Sequence, residues 1–332
     1  MALNQRVVVV GLGSIGKRHY RLLSERKDIV VEAIEPNEVV AAAAVKELGE
    51  VVLHKNFKTA LATKPDIVWL ATPTVLHMQQ SIDALQAGCH VFCEKPMANN
   101  ATEAKKIMAA VKQAGKHFSV GYYLRYWKGM TTIKNMMAEG LLGNVLHAYS
   151  RVGTYITLVN SISKYQATTP GSIFLDYAHQ PDIFHWLFQK KPASVFVSSL
   201  QGGNLQCSSL PNVADIMLRY HNTDSFAATI HLNYVQMPQR HEYEIVGDKA
   251  WIILDAETQT IKIGYRDSCR TESISILQER DDIFRVEHQA FFNAINLQEL
   301  NLNEVESAVT TQVICDAIIE AWSSGEIVRL AY

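Results

Sequence analysis

No apolar run in this 332-residue chain approaches the roughly 18 residues of a membrane-spanning helix, so a membrane-embedded protein is not expected. The opening Asn4-Gln5-Arg6 followed by Val7 to Val10 faintly imitates a signal peptide, but Gly11-Leu12-Gly13 interrupts it and no small-residue cleavage site follows. A basic excess is also missing. With 31 Lys and Arg against 33 Asp and Glu, the formal charge is -2, which leaves nothing to neutralise a phosphate backbone, so nucleic acid is not an expected partner. The five cysteines (Cys89, Cys93, Cys207, Cys269, Cys315) are odd in number and show neither CxxC spacing nor a His partner at zinc-finger spacing. They read as reduced thiols of a cytoplasmic protein with no metal. Internal repeats and low-complexity segments are absent too.

What is present is a globular composition, 48% apolar and 19% charged, in a chain longer than the roughly 250 to 300 residues at which one core stops growing. Two domains are therefore expected. Val7 to Val10 is a β-branched run suited to a parallel strand covered on both faces, and it leads into Gly11-Leu12-Gly13-Ser14-Ile15-Gly16. This is GxGxxG between a strand and a helix beginning near Ser14. The first glycine allows the turn, the second lets backbone approach a pyrophosphate, and the third lets helix and strand pack closely. The free N–H groups of Ser14, Ile15 and their neighbours at the helix start would then face the phosphates. A second strand, Ile29 to Ile34, ends in Glu35, where an acid can accept hydrogen bonds from ribose hydroxyls. Glu35 would repel a 2'-phosphate, and Pro36 to Val40 contain no base, so NAD is expected rather than NADP. Arg18 on the first helix is the one base that could reach round.

Further strands are expected at Val51 to Leu53, Asp66 to Ala71, Val91 to Cys93 and His117 to Gly121, with helices ending at Gly49, Gly88 and Gly115. The strand at Asp66 to Ala71 ends in Thr72-Pro73-Thr74, and His77 lies in the helix that follows, near the nicotinamide end of such a site. Val91-Phe92-Cys93 ends abruptly in Glu94-Lys95-Pro96. A lysine at that exit sits where open α/β sheets place ligands, which makes Lys95 a catalytic candidate.

Alternation of strand and helix stops near Tyr122. We expect a dinucleotide-binding domain over 1–121 and a substrate-binding domain over 122–332. In the second, a helix over Phe174 to Phe188 would carry Asp176, His179 and Asp182 on one face, with His185 a turn further and Pro181 as a possible kink. Six strands between Ser194 and Gly264 follow at the spacing of an antiparallel meander, one face of which is expected to meet another subunit. Two closing helices, near Ile283 to Asn296 and Leu302 to Ser323, complete the chain.

Taken together, Gly11 to Gly16, Glu35, Thr72-Pro73 with His77, Glu94-Lys95-Pro96, the Gly121-Tyr122 and Arg125 segment and the Asp176 and His179 helix resemble the glucose-fructose oxidoreductase and inositol dehydrogenase family (Gfo/Idh/MocA) over essentially the whole chain. The resemblance implies an α/β protein: an N-terminal Rossmann sheet and a C-terminal α+β domain with an open-faced, mostly antiparallel sheet. It also implies NAD or NADP, sugar-like substrates, and homodimers or homotetramers built through that sheet. A Lys, Asp and His trio would map to Lys95, Asp176 and His179. Thr72, Pro73, His77 and Glu94 would line the cofactor, and Tyr122 and Arg125 the substrate. Two departures stand out. Asp176 and His179 are three apart where many members have four, as in a subgroup with Asp-x-Ser-His, and Ala178 replaces that Ser. The preceding loop lacks a Trp-Arg-Pro run and offers Lys164 and Tyr165 instead.

The expected reaction is oxidation of a secondary alcohol of a sugar, cyclitol or sugar derivative. A base working near pH 7 is cheapest as histidine. Lysine, at about 10.4 unperturbed, would need a shift worth roughly 4 to 5 kcal/mol, whereas histidine at about 6.5 needs almost none. His179 is thus the expected base, Lys95 the group that polarises the oxygen, and Asp176 the residue that positions one of them. Imine or enone reduction, redox-neutral recycling of NAD, and a non-catalytic NAD sensor are the alternatives.

Overall fold

The structure, a computed structural model, describes residues 5–155, 169–203, 210–221, 225–297, 300 and 302–332. Two compact units emerge. The first takes Met1–Tyr123 together with Arg280–Gln312, and the second takes Leu124–Glu279 with Val313–Tyr332. The expected division at 121/122 therefore meets a complication: residues 280–312, assigned by sequence to the second domain, pack with the first.

In the first unit a five-stranded parallel sheet has the order β2-β1-β3-β4-β5. Its strands are β1 (Gln5–Val10), β2 (Ile29–Ile34), β3 (Ile67–Leu70), β4 (His90–Cys93) and β5 (Phe118–Val120). The order reverses between β1 and β3, which opens a ligand crevice beyond the strands' carboxyl ends. Both faces are covered, which explains the unbroken valine run. Val7 and Val9 point into a core with α1 (Ser14–Ser24) and α9 (Arg280–Asn296), while Val8 and Val10 point into another with α4 (Thr74–Gln86) and α5 (Ala101–Ala114).

The strand expected at Val51 to Leu53 is reduced to one bridge, Leu53 to Ala33, at the sheet edge beside β2. Val52 and Leu53 are exposed there, so burial does not reward further pairing. Between α2 (Glu38–Leu48) and β3 lies a short helix that sequence reading missed, α3 (Phe57–Ala62), which Asn56 and Thr59 close with a reciprocal capping box.

The second unit contains helix α6 (Lys128–Ala138) and a nine-stranded sheet, order β13-β12-β11-β10-β6-β9-β8-β7-β14. Its strands in chain order are β6 (Val145–Gly153), β7 (Ser194–Leu200), β8 (Val213–Tyr220), β9 (Phe226–Asn233), β10 (Arg240–Gly247), β11 (Ala250–Asp255), β12 (Thr260–Tyr265), β13 (Thr271–Ser275) and β14 (Val328–Arg329). Every pair is antiparallel except β6 with β9, which is parallel. Register sorts the faces. Val197, Ile216, Ile230, Ser150, Tyr243 and Leu254 form one cross-strand row that is buried throughout, while the adjacent row, from Phe196 and Met217 through Thr229 and Tyr149, is more open. The last two strands were not foreseen, β13 because its residues are polar and β14 because it is two residues long.

The helix expected over Phe174 to Phe188 is two helices, α7 (Ser172–Asp176) and α8 (His179–Phe188), broken at Tyr177 and Ala178. Pro181 lies in the first turn of α8, where a missing N–H costs nothing. The break comes before it. The closing helix α10 (Leu302–Ser324) spans both units, with Val305 and Val309 in the first core and Ala321 and Trp322 in the second unit. No described helix is long and apolar enough to cross a membrane.

Candidate dinucleotide cradle and catalytic residues

The glycines of the β1–α1 loop differ in what surrounds them. Gly11 has φ +90 and its added Cβ would lie 2.7 Å from the Ala71 carbonyl oxygen, and one on Gly16 would lie 1.9 Å from the Gly11 oxygen. Gly13 differs from both: nothing stands within 4 Å of where its Cβ would be. The loop is thus tight against β3 on one side and open at Gly13, beside a helix N-terminus that no side chain caps. Backbone N–H groups aimed at open space suit a pyrophosphate.

Glu35 is tied to this loop. Its Oε2 accepts from the Leu12 N–H at 2.8 Å and its Oε1 from the Asn37 N–H at 2.9 Å, so a half-buried carboxylate is held at the exit of β2. Arg18, the base that could have offset it, turns the other way, pairing with Asp281 at 3.3 Å and lying over the Phe284 ring. The residues present fit a dinucleotide with free ribose hydroxyls.

At the exits of β3 and β4 the site residues divide. Lys95 is half-buried and joined to Pro96 by a cis peptide bond. The His77 ring, expected at the cofactor, is instead 1% exposed, with Nδ1 2.9 Å from the Pro96 oxygen and Nε2 2.8 Å from the Thr72 oxygen. Burial pushes its pKa down, and both ring nitrogens face backbone carbonyls. His77 therefore shapes the hinge from below rather than offering an edge to a ligand. Thr72 donates its hydroxyl to Gln80 at 2.7 Å, and Pro73 precedes the first turn of α4 in the open.

Glu94 also points inward. It is 8% exposed, with Oε1 2.7 Å from His19 Nε2 and Oε2 accepting from the Lys95 N–H at 3.2 Å. His19 Nδ1 lies in turn 2.8 Å from His288 Nε2. Neither histidine was singled out from sequence. A His three residues beyond Gly16 was the only signal for one, and the other sits in a helix assigned to the wrong domain.

Tyr122, expected at the substrate, has its ring in the apolar core of the first unit, buried with Val120 and Phe118. Arg125 is likewise committed elsewhere. In the second unit its Nε and Nη2 reach Asp182 Oδ2 and Oδ1 at 2.8 and 2.5 Å, a bidentate pair whose carboxylate is fully buried. That pair clamps α8 to the Tyr123–Tyr126 turn. Asp182 is thereby the structural acid of this helix, not a member of a shared polar face.

The helix break changes the relation between Asp176 and His179. Asp176 ends α7 and accepts the Tyr234 hydroxyl, whose pKa burial and the carboxylate both push up. His179 is the first residue of α8 and is mostly buried. Tyr234, at the end of β9, is a residue that sequence reading missed because it looked like one more apolar strand position. Tyr165 and Lys164 lie outside the described residues. No group of His, Cys, Asp and Glu among the described residues could hold a metal ion.

Residues 5–122 match the profile of the Oxidoreductase family, NAD-binding Rossmann fold, and residues 130–253 match the GFO/IDH/MocA C-terminal domain. The chain belongs to the Gfo/Idh/MocA oxidoreductase family, and NAD is its cofactor. It is 25% identical over 300 residues to an inositol 2-dehydrogenase of Salmonella typhimurium, covering 87% of this chain and 85% of that one. The fold is similar to a levoglucosan dehydrogenase complex with NADH (TM-score 0.85, 19% identity, 99% of each chain). It is also similar to a myo-inositol 2-dehydrogenase from Lactobacillus plantarum (TM-score 0.81, 20% identity, 98% of this chain and 99% of that one).

Proposed function

We propose that the protein oxidises a secondary alcohol of a sugar, cyclitol or related polyol to a ketone, the first unit binding cofactor and the second recognising substrate. The observation that carries this reading is the pairing, within one sheet, of an open glycine cradle under Glu35 with Lys95 at the exit of β4. NAD bound at the cradle supplies the hydride acceptor. The Gly13 loop and the start of α1 bind its phosphates, and Glu35 takes the ribose hydroxyls.

Lys95 orients the substrate oxygen, and its ammonium stabilises charge that develops there. His179 removes the hydroxyl proton. Its place at the N-terminus of α8 supports that role, because the positive end of a helix disfavours the imidazolium and keeps the ring a base. Asp176, gripped by Tyr234, orders the segment leading into His179. The apolar side chains Phe196, Leu200 and Met217 on the open side of the large sheet support self-association into a homodimer or homotetramer. Three buried cysteines outside any disulfide, Cys89, Cys93 and Cys315, suit a reducing compartment such as the cytoplasm.

Absorbance of NADH, followed while NAD⁺ is offered with cyclitols, hexoses, phosphosugars and nucleotide sugars, tests the reading. At least one polyol should give sustained turnover that falls in a His179→Gln variant, whose kcat/KM profile loses its acid-side inflection near pH 6 to 7. Tight NAD⁺ binding with no turnover on any polyol would contradict it.

A further inference from the structure

The hinge bearing Lys95 rests on a line of three buried polar side chains taken from three different elements. His288 on α9 lies against His19 on α1, and His19 against Glu94 at the end of β4, with contacts of 2.8 and 2.7 Å. Their surroundings are aromatic. The His19 ring packs within 5.5 Å of the rings of Trp69, Phe92 and Phe284, and His19 and His288 are both essentially inaccessible. Burial in an apolar cage is expensive for two imidazoles and a carboxylate unless every donor meets an acceptor.

Hydrogen-bond chemistry orders the chain. A carboxylate accepts only, so His19 Nε2 donates to Glu94. Burial, together with His19, Arg26 and Arg285, holds the His288 pKa well below the ordinary imidazole range, so His288 is neutral and has one N–H to give. His19 Nε2–H thus donates to Glu94 Oε1, and His19 Nδ1 shares the second contact with His288 Nε2. The other carboxylate oxygen holds the Lys95 amide. Gly121 closes the pocket from the far side, since a Cβ there would meet the Glu94 carboxylate at 2.9 to 3.2 Å.

We propose that His19 and His288 are positioning residues that act through Glu94, locking the Lys95 hinge in register with α1, the helix whose N-terminus cradles the cofactor phosphates. The inference rests on the role given to Lys95 above. It explains why the late segment 280–296 returns to the first unit: α9 brings the terminal donor of the chain. Nothing in the chain touches substrate or cofactor directly. Its effect is on geometry at Lys95, where small displacements carry large rate penalties.

Three variants and one spectrum test it. In His288→Leu the terminal donor is gone but the volume is kept, and kcat should fall about tenfold while NAD⁺ dissociation constant and Tm change little. In His288→Gln the amide can replace the Nε2 donor, and most of the lost kcat should return. Equal, wild-type kcat in both variants would overturn the proposal, as would a His288→Leu enzyme in which NAD⁺ affinity and Tm collapse with kcat and Gln restores none of it. Nitrogen-15 NMR of histidine-labelled unmodified protein, without cofactor or substrate, reads the chain itself. His19 should carry a proton on the Nε2 that faces Glu94, and a His19 with no proton there would overturn the assignment. Lys95→Ala separates the two levels: normal turnover in that variant removes the role of Lys95 and leaves the spectrum as it was.

Discussion

Glu94 and Asp182 are both buried acids, one in each unit, and they are answered in opposite ways. Asp182 meets the Arg125 guanidinium in a bidentate salt bridge. Glu94 meets the His19 imidazole, itself backed by His288, and the amide of Lys95. A charged clamp of the first kind fixes structure and is costly to break on one side only. A chain of hydrogen-bond donors holds a carboxyl group in place beside a residue with a proposed chemical role. The difference separates an acid that holds a helix from an acid that holds a hinge.

The largest effect should come from breaking the clamp. Arg125→Leu removes the guanidinium that the buried Asp182 carboxyl meets and should cost about 3 to 5 kcal/mol of stability, read from urea unfolding, with the Arg125→Leu, Asp182→Leu double variant recovering much of it. A loss below about 1 kcal/mol would put the pair on a par with surface bridges and erase the contrast. On the hinge side the effect should be on rate. Lys95→Ala should lower kcat by about a hundredfold or more, with NAD⁺ affinity within a few-fold, since the cradle at Gly13 does not use its ammonium.

Glu35 adds a third case, an acid held only by the N–H groups of Leu12 and Asn37 and half open to a ligand. NAD⁺ should bind at least about tenfold more tightly than NADP⁺, a difference of ~1.4 kcal/mol, and Glu35→Ala should narrow the gap. Calorimetric titration with both nucleotides decides it, and a preference for NADP⁺ in the unmodified protein would refute the role of Glu35.

The most graded effect is on pH. Burial lowers the pKa of His77 and His288, and takes His90 and His241 down to about 4. For groups whose folded pKa lies below the unfolded value of about 6.5, the unfolded chain takes up protons first as pH falls. Stability should therefore be flat above about pH 6.5 and decline from there toward pH 4. Thermal unfolding across that range checks the sign, and a Tm that rises on acidification would contradict it.

How much of this was legible in the sequence follows the same divide. The cradle was readable because each step is local: a valine run, three glycines at fixed offsets, an acid at the next strand end. The place of Lys95 at a strand exit was readable for the same reason. What failed depended on partners distant in the chain. Arg125 and Tyr122 were expected at the substrate because nothing in their neighbourhood announced Asp182 or the core of the first unit. His77 looked poised toward the cofactor until the Pro96 carbonyl arrived from another strand. Asp176 and His179 satisfied helical spacing, yet the helix breaks at Tyr177, a residue with no helix-breaking chemistry. His19 and His288 are separated by most of the chain, and no periodicity connects them.

The claim that the protein is an NAD-dependent dehydrogenase of polyols is tested most directly by following hydrogen from substrate to cofactor. A polyol that supports turnover, deuterated at the carbinol carbon, should be converted with NAD⁺ into ketone and singly deuterated NADH in equal amounts, both accumulating in solution. Consumption of the polyol with no deuterated NADH released would contradict the account, and would point instead to redox-neutral chemistry in which the cofactor is recycled within one turnover.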